Sequence, residues 1–318
     1  MAKTKVTLGI DIGGTNTVFG LVTKDGECLH QSGVLTLADK PAGDLFNRLF
    51  EKFHTIFDPV KDQYELCGAG IGAPNTNYYT GQIVSPPNFN WKTENLTELL
   101  KKYIDLPVAV TNDANAAALG EKMFGNGRGL KNFIEITLGT GLGSGIVVND
   151  EILYGSDGFA GELGHITAIP DGRICGCGKK GCLETYASAT GITRTVYELL
   201  SESSCKSKLR SVSFADLTSK MIYEMAKDGD EIALKAFDRT AKILGRALAD
   251  AVAVFSPEAF ILFGGLANAG DLLLKPTKKY MEENLLQVFK NKVKILQSGL
   301  EASDVAIIGA AALIWNEI

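Results

Sequence analysis

Hydrophobic and polar positions alternate along the start of the chain in the manner of β-strands. Lys5–Ile10 predicts a strand that ends in Asp11-Ile12-Gly13-Gly14-Thr15, and Val18–Thr23 is again rich in strand-forming residues. The segment after the second strand, Lys24-Asp25-Gly26-Glu27, has the composition of a tight hairpin turn. The pattern therefore predicts a strand, a Gly-Gly-Thr turn, a strand, an Asp-Gly turn and a further strand.

The same order of strands and turns returns at residue 133. Phe133–Leu138 predicts a strand, Gly139–Gly143 a turn and Gly145–Val148 the next strand, after which Asn149-Asp150 predicts a second hairpin turn. Two copies of one pattern indicate two similar α/β halves. Glycine-rich turns offer backbone N–H groups and a hydroxyl to phosphate oxygens, although Gly-Gly also forms hairpins that bind no ligand. Two such turns predict that one polyphosphate is held by both.

Segments with helical periodicity lie between and after these strands. Apolar residues recur at helical spacing in 41–57, 93–104 and 236–255, and Ala-rich or apolar helices are predicted for 114–124 and 305–315. A strand at 107–111 ends in Asn112-Asp113, a position where open α/β sheets place ligands. The alternative role of Asp113 is that of a helix N-cap. A buried strand at 259–263 ends in the Gly264-Gly265 turn.

Composition narrows the classes of protein and partner. The chain has 318 residues, a net charge of −5 and 45% hydrophobic residues, which is ordinary for a globular protein. The absence of a basic block argues against a nucleic-acid partner, and no apolar run is long enough to span a membrane. The strand pattern begins too early for a signal peptide. We therefore expect a cytoplasmic protein with no membrane partner.

A cluster of metal-binding side chains lies in 161–184, GELGHITAIPDGRICGCGKKGCLE. His165 is followed by Cys175, Cys177 and Cys182 at the spacing H-x9-C-x-C-x4-C, with glycines that permit tight turns between them. Three cysteines and a histidine are a set that holds a closed tetrahedral zinc ion. The alternatives are buried or reactive cysteines without a metal, and a disulfide, which a reducing compartment disfavours.

Two glutamates flank this cluster. Glu162 precedes His165 by three residues, and Glu184 follows Cys182 by two. A zinc ion with four protein ligands has no open position for a substrate, so its role would be to shape a pocket. Zinc that fixes both ends of the segment would also bring the two carboxylates into one neighbourhood. The alternative is a pair of solvated glutamates.

Several of these motifs together resemble those of a known family. LGTGLGSGIVVNDEILYGSDGFAGELGH at 138–165 resembles the signature of the ROK family of sugar kinases, and GCGKKGCLE resembles its zinc motif. DIGGT at 11–15 and NDANAAALGE at 112–121 are similar as well, and the resemblance covers essentially the whole chain. It implies the α/β, actin/hexokinase-like (ribonuclease H-like) ATPase fold, with two similar domains and a nucleotide cleft between them. The expected domains are 1–112 with the helix 305–318, and a larger domain, 113–304, with the zinc knuckle.

The resemblance also implies roles for individual residues. It makes Asp113 the catalytic base. The residues implied for sugar hydroxyls are Asn88, Asn112, Asp113, Glu162, His165 and Glu184. Those implied for ATP and Mg²⁺ are Asp11, Gly13, Gly14, Thr15, Thr140, Gly141, Gly264 and Gly265, and those implied for structural Zn²⁺ are His165, Cys175, Cys177 and Cys182. Two positions depart from the family pattern, because Asn16 replaces a common lysine and Asn75 a common glycine.

The activity implied is that of an ATP-dependent hexose kinase, with glucose converted to glucose 6-phosphate. Two alternatives remain among kinases: an N-acylhexosamine kinase, acting on N-acetylmannosamine or N-acetylglucosamine, and a fructokinase. An alternative outside the enzymes is a sugar-sensing protein that has lost catalysis, against which the intact Asp113 and both phosphate turns argue. Since members of the family are commonly dimers, a homodimer is expected.

Overall fold

The structure, a computed structural model, describes residues 2–87, 89–301 and 304–318. Its internal contacts divide the chain into two units. The first unit comprises Met1–Gly129, Ile152–Gly161 and Gly299–Ile318, and the second Leu130–Glu151 and Glu162–Ser298. The domain limits expected from the sequence, 1–112 with 305–318 and 113–304, stay a prediction. The units differ from them chiefly because residues 113–129 belong to the first unit.

The elements follow one another as alternating groups of strands and helices. The strands are β1 (Thr4–Ile12), β2 (Asn16–Thr23), β3 (Cys28–Leu35), β4 (Tyr64–Gly72), β5 (Thr76–Asn77), β6 (Gln82–Val84), β7 (Thr93–Asn95), β8 (Val108–Thr111), β9 (Phe133–Leu138), β10 (Leu142–Val148), β11 (Glu151–Ile152), β12 (Ala259–Phe263) and β13 (Lys294–Gln297). The α-helices are α1 (Ala42–Phe57), α2 (Leu96–Lys101), α3 (Asp113–Phe124), α4 (Ala189–Glu202), α5 (Ser219–Lys227), α6 (Glu231–Phe255), α7 (Asp271–Asn284) and α8 (Val305–Trp315). Short 3-10 turns lie at Leu163–His165, Lys208–Ser211, Leu183–Thr185, Ala267–Ala269 and Gln287–Phe289. None of the described helices is long and apolar enough to cross a membrane.

The main sheet of the first unit has five strands in the order β3-β2-β1-β4-β8. The central strand β1 runs antiparallel to β2 and parallel to β4. Alternation along β1 places Val6, Leu8 and Ile10 in one core cluster with the apolar stripe of α1. The other face of β1 meets α8, because a Cβ on Gly9 would lie 2.0 Å from the carbonyl oxygen of Ile307. Gly9 thus permits the close approach of the apolar C-terminal helix. A separate three-stranded sheet, β5-β6-β7, lies in the same unit.

The sheet formed by the second pattern has the same kind of order, β11-β10-β9-β12-β13. Its central strand β9 runs antiparallel to β10 and parallel to β12. The hairpin after β10 turns at Asn149 and Asp150, both with positive φ, 52° and 69°, as a two-residue hairpin loop of the favoured type requires. The repeated sequence pattern therefore corresponds to repeated sheet topology, and the prediction of two similar α/β halves is confirmed.

Some element limits predicted from the sequence are wrong. The helix predicted for 93–104 is shorter, because Thr93–Asn95 forms β7 and the Asn95 side chain caps the helix by accepting from the N–H of Glu98. The strand expected from Gly145 already begins at Leu142, so the turn is confined to residues 139–141. The predicted limits of 259–263 and 305–315 are confirmed by β12 and α8.

Candidate active site

The first Gly-Gly-Thr turn is closed by backbone hydrogen bonds. The N–H of Gly13 donates to the carbonyl of Asn16 over 3.0 Å. Thr36 fixes the turn from outside, since its N–H donates to the carbonyl of Thr15 (2.9 Å) and its hydroxyl to the carbonyl of Gly13 (2.6 Å). Gly14 and Thr15 are exposed. The turn can therefore offer N–H groups and a hydroxyl to a phosphate. Thr36 was not identified from the sequence, because its contact with the turn is not a motif.

Asp11 and Asp113 both lie close to Gly72 at the end of β4. A Cβ on Gly72 would lie 3.9 Å from Oδ1 of Asp11 and 3.7 Å from Cα of Asp113. Burial, and next the negative charge of Asp113, raise the pKa of Asp11 to about 7. Two neighbouring carboxylates disfavour each other's ionised form, and a divalent cation would offset this repulsion. The pair is therefore suited to a site that holds Mg²⁺.

The cap of α3 is Asn112, and not Asp113. The Asn112 side-chain oxygen accepts from the N–H of Ala114 over 2.9 Å, and one oxygen of Asp113 accepts from the same group, also over 2.9 Å. Asp113 is exposed and is the first residue of the helix. Solvent reaches Asp113, yet the protein groups around its carboxyl desolvate it and raise its pKa, and the N–H groups of Ala114 and Asp113 oppose that rise. Asp113 thus has a carboxylate oxygen available to accept a proton, while Asn112 has an amide NH₂ available as donor.

The structure describes both residues that depart from the family pattern, Asn75 and Asn16. Asn75 has a φ of 52°, a conformation that favours glycine but that asparagine also tolerates. The backbone at this position therefore does not need the common glycine. Asn16 is exposed, and its carbonyl closes the Gly13 turn. Asn88 lies outside the described residues, so its role as a sugar ligand stays a prediction.

In the second unit the fold brings His165, Cys175, Cys177 and Cys182 together. Their candidate ligand atoms all lie within 4.8 Å of one another. The Nδ1 atom of His165 is 3.7 Å from Sγ of Cys175, and the Cys177 and Cys182 sulfurs are 3.7 Å apart. Burial raises the pKa of the Cys175 thiol to about 12, and a bound cation is what would let such a thiol be a thiolate. The donor set and its convergence fit a structural zinc ion.

Glu162 lies beside the outer edge of the His165 ring. Nε2 of His165 is 4.0 Å from Oε2 of Glu162, and Glu162 is exposed. Since Nδ1 faces the sulfurs, Nε2 is the ring nitrogen that remains for a substrate hydroxyl. A metal on one nitrogen fixes the tautomer at the other. The local geometry thus allows His165 to serve both as metal ligand and as sugar ligand.

Glu184 connects the cysteine cluster to the second glycine-rich turn. Its Oε2 accepts from the N–H of Leu142 over 3.1 Å, and its Oε1 is 3.4 Å from Sγ of Cys175. A Cβ on Gly141 would lie 2.2 Å from Oε2 of Glu184. Glycine at 141 is therefore required for the carboxylate to lie where it does. The sequence placed Glu184 near the cysteines but gave no sign of its bond to this turn.

The second turn also contacts α4, and the Gly264-Gly265 turn lies beside the strand end that precedes it. The hydroxyl of Thr190 donates to the carbonyl of Thr140 over 2.8 Å. Gly264 has a φ of 97°, and a Cβ there would lie 2.6 Å from the carbonyl oxygen of Leu138. Gly264 thus lets the chain after β12 pass close to the end of β9. The residues predicted for the phosphates and for the nucleoside are therefore neighbours in this unit.

Comparison with known proteins gives one family throughout. The family model described as ROK family matches residues 7–317. The chain is 38% identical over 323 residues to the glucokinase of Thermotoga maritima, covering 100% of this chain and 99% of the relative. It resembles the crystal structure of a ROK family glucokinase from Streptomyces griseus in complex with glucose and AMPPNP, with a TM-score of 0.81, 33% identity and coverage of 97% and 98%.

A transcriptional regulator has a similar structure. The crystal structure of the ROK family transcriptional regulator, homologue of the E. coli MLC protein, matches with a TM-score of 0.87 and 30% identity. The match covers 98% of this chain but only 78% of the regulator. The structural similarity therefore identifies the fold, while the distinction between kinase and regulator rests on the site and on the full-length similarity to glucokinases.

Proposed function

The chain belongs to the ROK family, and we propose that it transfers the γ-phosphoryl group of ATP to the 6-hydroxyl of glucose. The observation that carries this proposal is the full-length similarity to a glucokinase in a chain that retains Asp113 as an exposed carboxylate at the first turn of α3. An intact base is what a catalytic member needs and a purely sugar-sensing member does not.

In this proposal Asp113 is the general base. It accepts the proton of the 6-hydroxyl as that oxygen bonds to the γ-phosphorus, and the bond from the γ-phosphorus to the bridging oxygen breaks to release ADP. Phosphoryl transfer needs positioning and charge neutralisation more than covalent participation of the protein. The raised pKa of Asp113 suits this role, because a base with a pKa closer to the working pH is a better proton acceptor.

The two glycine-rich turns and Asp11 supply the ATP side. The Gly13–Thr15 turn and the Thr140-Gly141 turn offer N–H groups and hydroxyls to the phosphate oxygens, and Gly264-Gly265 serves the nucleoside. Asp11 would hold Mg²⁺ through water. The metal ion when bound supplies positive charge to the phosphate oxygens. The closeness of the Asp11 and Asp113 carboxylates supports this assignment. Each negative charge disfavours ionisation of the other carboxyl, and a bound cation would offset that repulsion.

The sugar side consists of polar groups with different hydrogen-bonding abilities. Glu162 and Glu184 accept, the amide of Asn112 donates, and Nε2 of His165 faces away from the cysteine cluster. Asn88 is proposed as a further ligand from the family resemblance alone. Zinc held by His165 and the three cysteines would keep His165 and Glu184 in place. A site of this kind discriminates against sugars that lack a hydroxyl, because its own polar groups would be left unpaired.

A substrate panel tests the proposal. Coupled ADP release is measured with glucose, fructose, N-acetylmannosamine and N-acetylglucosamine, and glucose is expected to give the highest kcat/KM. A kcat/KM for N-acetylmannosamine above that for glucose would overturn the choice of sugar and leave the kinase mechanism standing. No ADP release with any of these sugars, combined with measurable sugar binding, would instead support a sensing protein. We also expect a homodimer, which analytical ultracentrifugation measures.

A further inference from the structure

Arg173 has a buried guanidinium group within the second unit. Its side chain is 6% exposed, and it forms a two-pronged ion pair with Glu198 of α4. Nε donates to one carboxylate oxygen and Nη2 to the other, each over 2.7 Å. Nη2 also donates to the hydroxyl of Thr195 over 2.9 Å. The planar guanidinium matches a carboxylate in this geometry, and a lysine ammonium does not.

The remaining donors of Arg173 hold the segment that follows Cys182. Nη1 donates to the carbonyl of Thr185 over 2.5 Å and to that of Gly191 over 3.0 Å. The guanidinium carbon lies 4.4 Å from the centre of the Tyr186 ring. The N–H of Arg173 donates to the hydroxyl of the same Tyr186 over 2.8 Å. One residue thus joins the chain entering the cysteine cluster, the chain leaving it, and α4.

These contacts lie directly beside the candidate sugar ligand Glu184. Thr185 is the next residue, and its carbonyl belongs to the peptide between Thr185 and Tyr186, so the bond from Arg173 fixes the chain one peptide beyond Glu184. The carboxylate of Glu184 is then held by the N–H of Leu142. Among the described residues, Arg173 bonds to neither the Glu184 carboxylate nor any other residue assigned above to sugar or ATP. The most direct route from Arg173 to a sugar ligand is the backbone at 184–186.

We propose that Arg173 is a positioning residue that orients Glu184 toward the sugar. The inference rests on the proposed function, because it takes Glu184 to be a sugar ligand. The physical basis is that a buried side chain with several fixed hydrogen bonds holds the backbone it bonds to in a single conformation. A displacement of about 1 Å in a binding group can change catalytic efficiency by on the order of 100-fold. Loss of the guanidinium fork would therefore weaken sugar binding although no sugar contact is removed.

The first variant is Arg173→Lys, which keeps the positive charge and loses the paired hydrogen bonds from the guanidinium to Glu198. We expect KM for glucose to rise about tenfold or more, with kcat changed much less, because ground-state and transition-state binding are weakened together. KM for ATP should change less than KM for glucose, and zinc content should stay at the wild-type value. Glucose affinity measured directly by calorimetry should fall by the same factor as KM rises.

A double-mutant cycle shows whether the effect passes through Glu184. Arg173→Lys, Glu184→Gln and the double variant are compared for glucose affinity. If Arg173 acts by positioning Glu184, the double variant should lose little more affinity than Glu184→Gln alone. Fully additive losses would overturn the inference. The matched control is Arg239→Lys, since Arg239 is more exposed and also approaches Glu198, at 3.6 Å, but makes no bond to Thr185 in the described structure.

A purely structural role gives a different result. It would lower the thermal midpoint or the amount of active protein and leave KM for glucose unchanged, and that outcome would overturn the inference. If Arg173→Lys does not fold, Glu198→Gln takes its place, because it retains Arg173 and removes the charge that the fork binds. A wild-type protein that does not phosphorylate glucose would contradict the proposed function, whereas an active wild type with unaltered KM in both variants would contradict only the role of Arg173.

Discussion

The two units have main sheets of equivalent strand order, yet they hold their candidate functional groups by different means. In the first unit the carboxylates stand at the ends of regular elements, Asp11 on β1 and Asp113 at the start of α3. In the second unit Glu162, His165 and Glu184 lie on an irregular segment that is held by side chains. The first arrangement rests on regular elements, with the Asn112 cap and the Thr36 hydroxyl as supporting side-chain bonds, whereas the second needs a cysteine cluster and the guanidinium of Arg173.

The two units should therefore respond differently to mutation. A group on a strand end or helix start keeps its place when its own side chain is changed, because the backbone ladder remains. A group on an irregular segment depends on neighbours that are themselves side chains. We therefore expect changes in the first unit to affect the chemical step or the local charge, and changes in the second to affect metal content and sugar affinity.

The largest expected effect is that of Asp113→Asn. The variant should keep its fold and its glucose affinity, while kcat falls about 10²–10⁴-fold, because the amide cannot take the proton of the sugar hydroxyl. Steady-state kinetics measure the rate, and calorimetry measures glucose binding. Zinc content serves as the control and should be unchanged. Turnover close to the wild-type rate would mean that Asp113 is only the first residue of α3.

Asp11→Asn should alter the dependence of stability on pH. Folding raises the pKa of Asp11 from 3.8 to about 7, so between these values the folded state holds a proton that the unfolded state has released. The Asp11 contribution therefore lowers the free energy of unfolding as pH rises from about 4 to about 7. Asparagine has no such titration. As pH rises from about 4 to about 7, the free energy of unfolding of the variant should therefore increase relative to that of the wild type, by up to about 4 kcal/mol.

Urea denaturation in magnesium-free buffer at several pH values measures this difference. Groups other than Asp11 and its neighbour Asp113 titrate alike in both proteins, so the difference between the two curves reports on this carboxylate pair. A difference that is the same at pH 4 and pH 8 would show that the carboxyl is not perturbed. A variant that loses stability relative to the wild type as pH rises would reverse the assigned direction of the pKa shift.

Cys177→Ser should remove the metal in the second unit. Elemental analysis of protein purified without chelator should give about one zinc per wild-type chain and little in the variant. Glucose affinity should fall on the order of 10- to 100-fold, the scale on which altered surroundings of a metal site change metal affinity or activity. Cys205→Ser is the matched control, because Cys205 lies outside the cluster. A wild-type protein without zinc would contradict the metal assignment.

The smallest expected effect is that of alanine substitutions at two glycines of the second glycine-rich turn, Gly139 and Gly141. Gly141→Ala places a Cβ 2.2 Å from the Glu184 carboxylate, whereas a Cβ on Gly139 meets none of the described residues within 4 Å. Moving the Glu184 carboxylate away from the Leu142 N–H displaces a proposed sugar ligand and should raise KM for glucose roughly tenfold, less than the ~100-fold effect of a misplacement of about 1 Å. Gly139→Ala should change that KM less. Equal values for the two variants would mean that Glu184 does not need its present position.

Much of the fold could be predicted because it follows from local sequence patterns. The alternation in β1, the Asn149-Asp150 turn and the apolar helix at 305–315 each follow from residues close together in the chain. The spacing of His165 and the three cysteines likewise predicted their convergence, since short glycine-containing segments limit how far apart they can lie. The limits of α2 were less predictable, because the Asn95 cap competes with a helical apolar pattern that continues on both sides.

What the sequence by itself determined is the set of chemical groups and the repeated strand pattern that carries them. Only the tertiary structure decided that Thr36 fixes the first turn, that Glu184 bonds to the second, and that Arg173 joins three segments. These contacts join residues far apart in the chain, and a threonine, a glutamate or an arginine has many possible partners at such distances. Periodicity and spacing report on neighbours along the backbone, whereas the partner of a buried polar group is selected by the packing that excludes water around it.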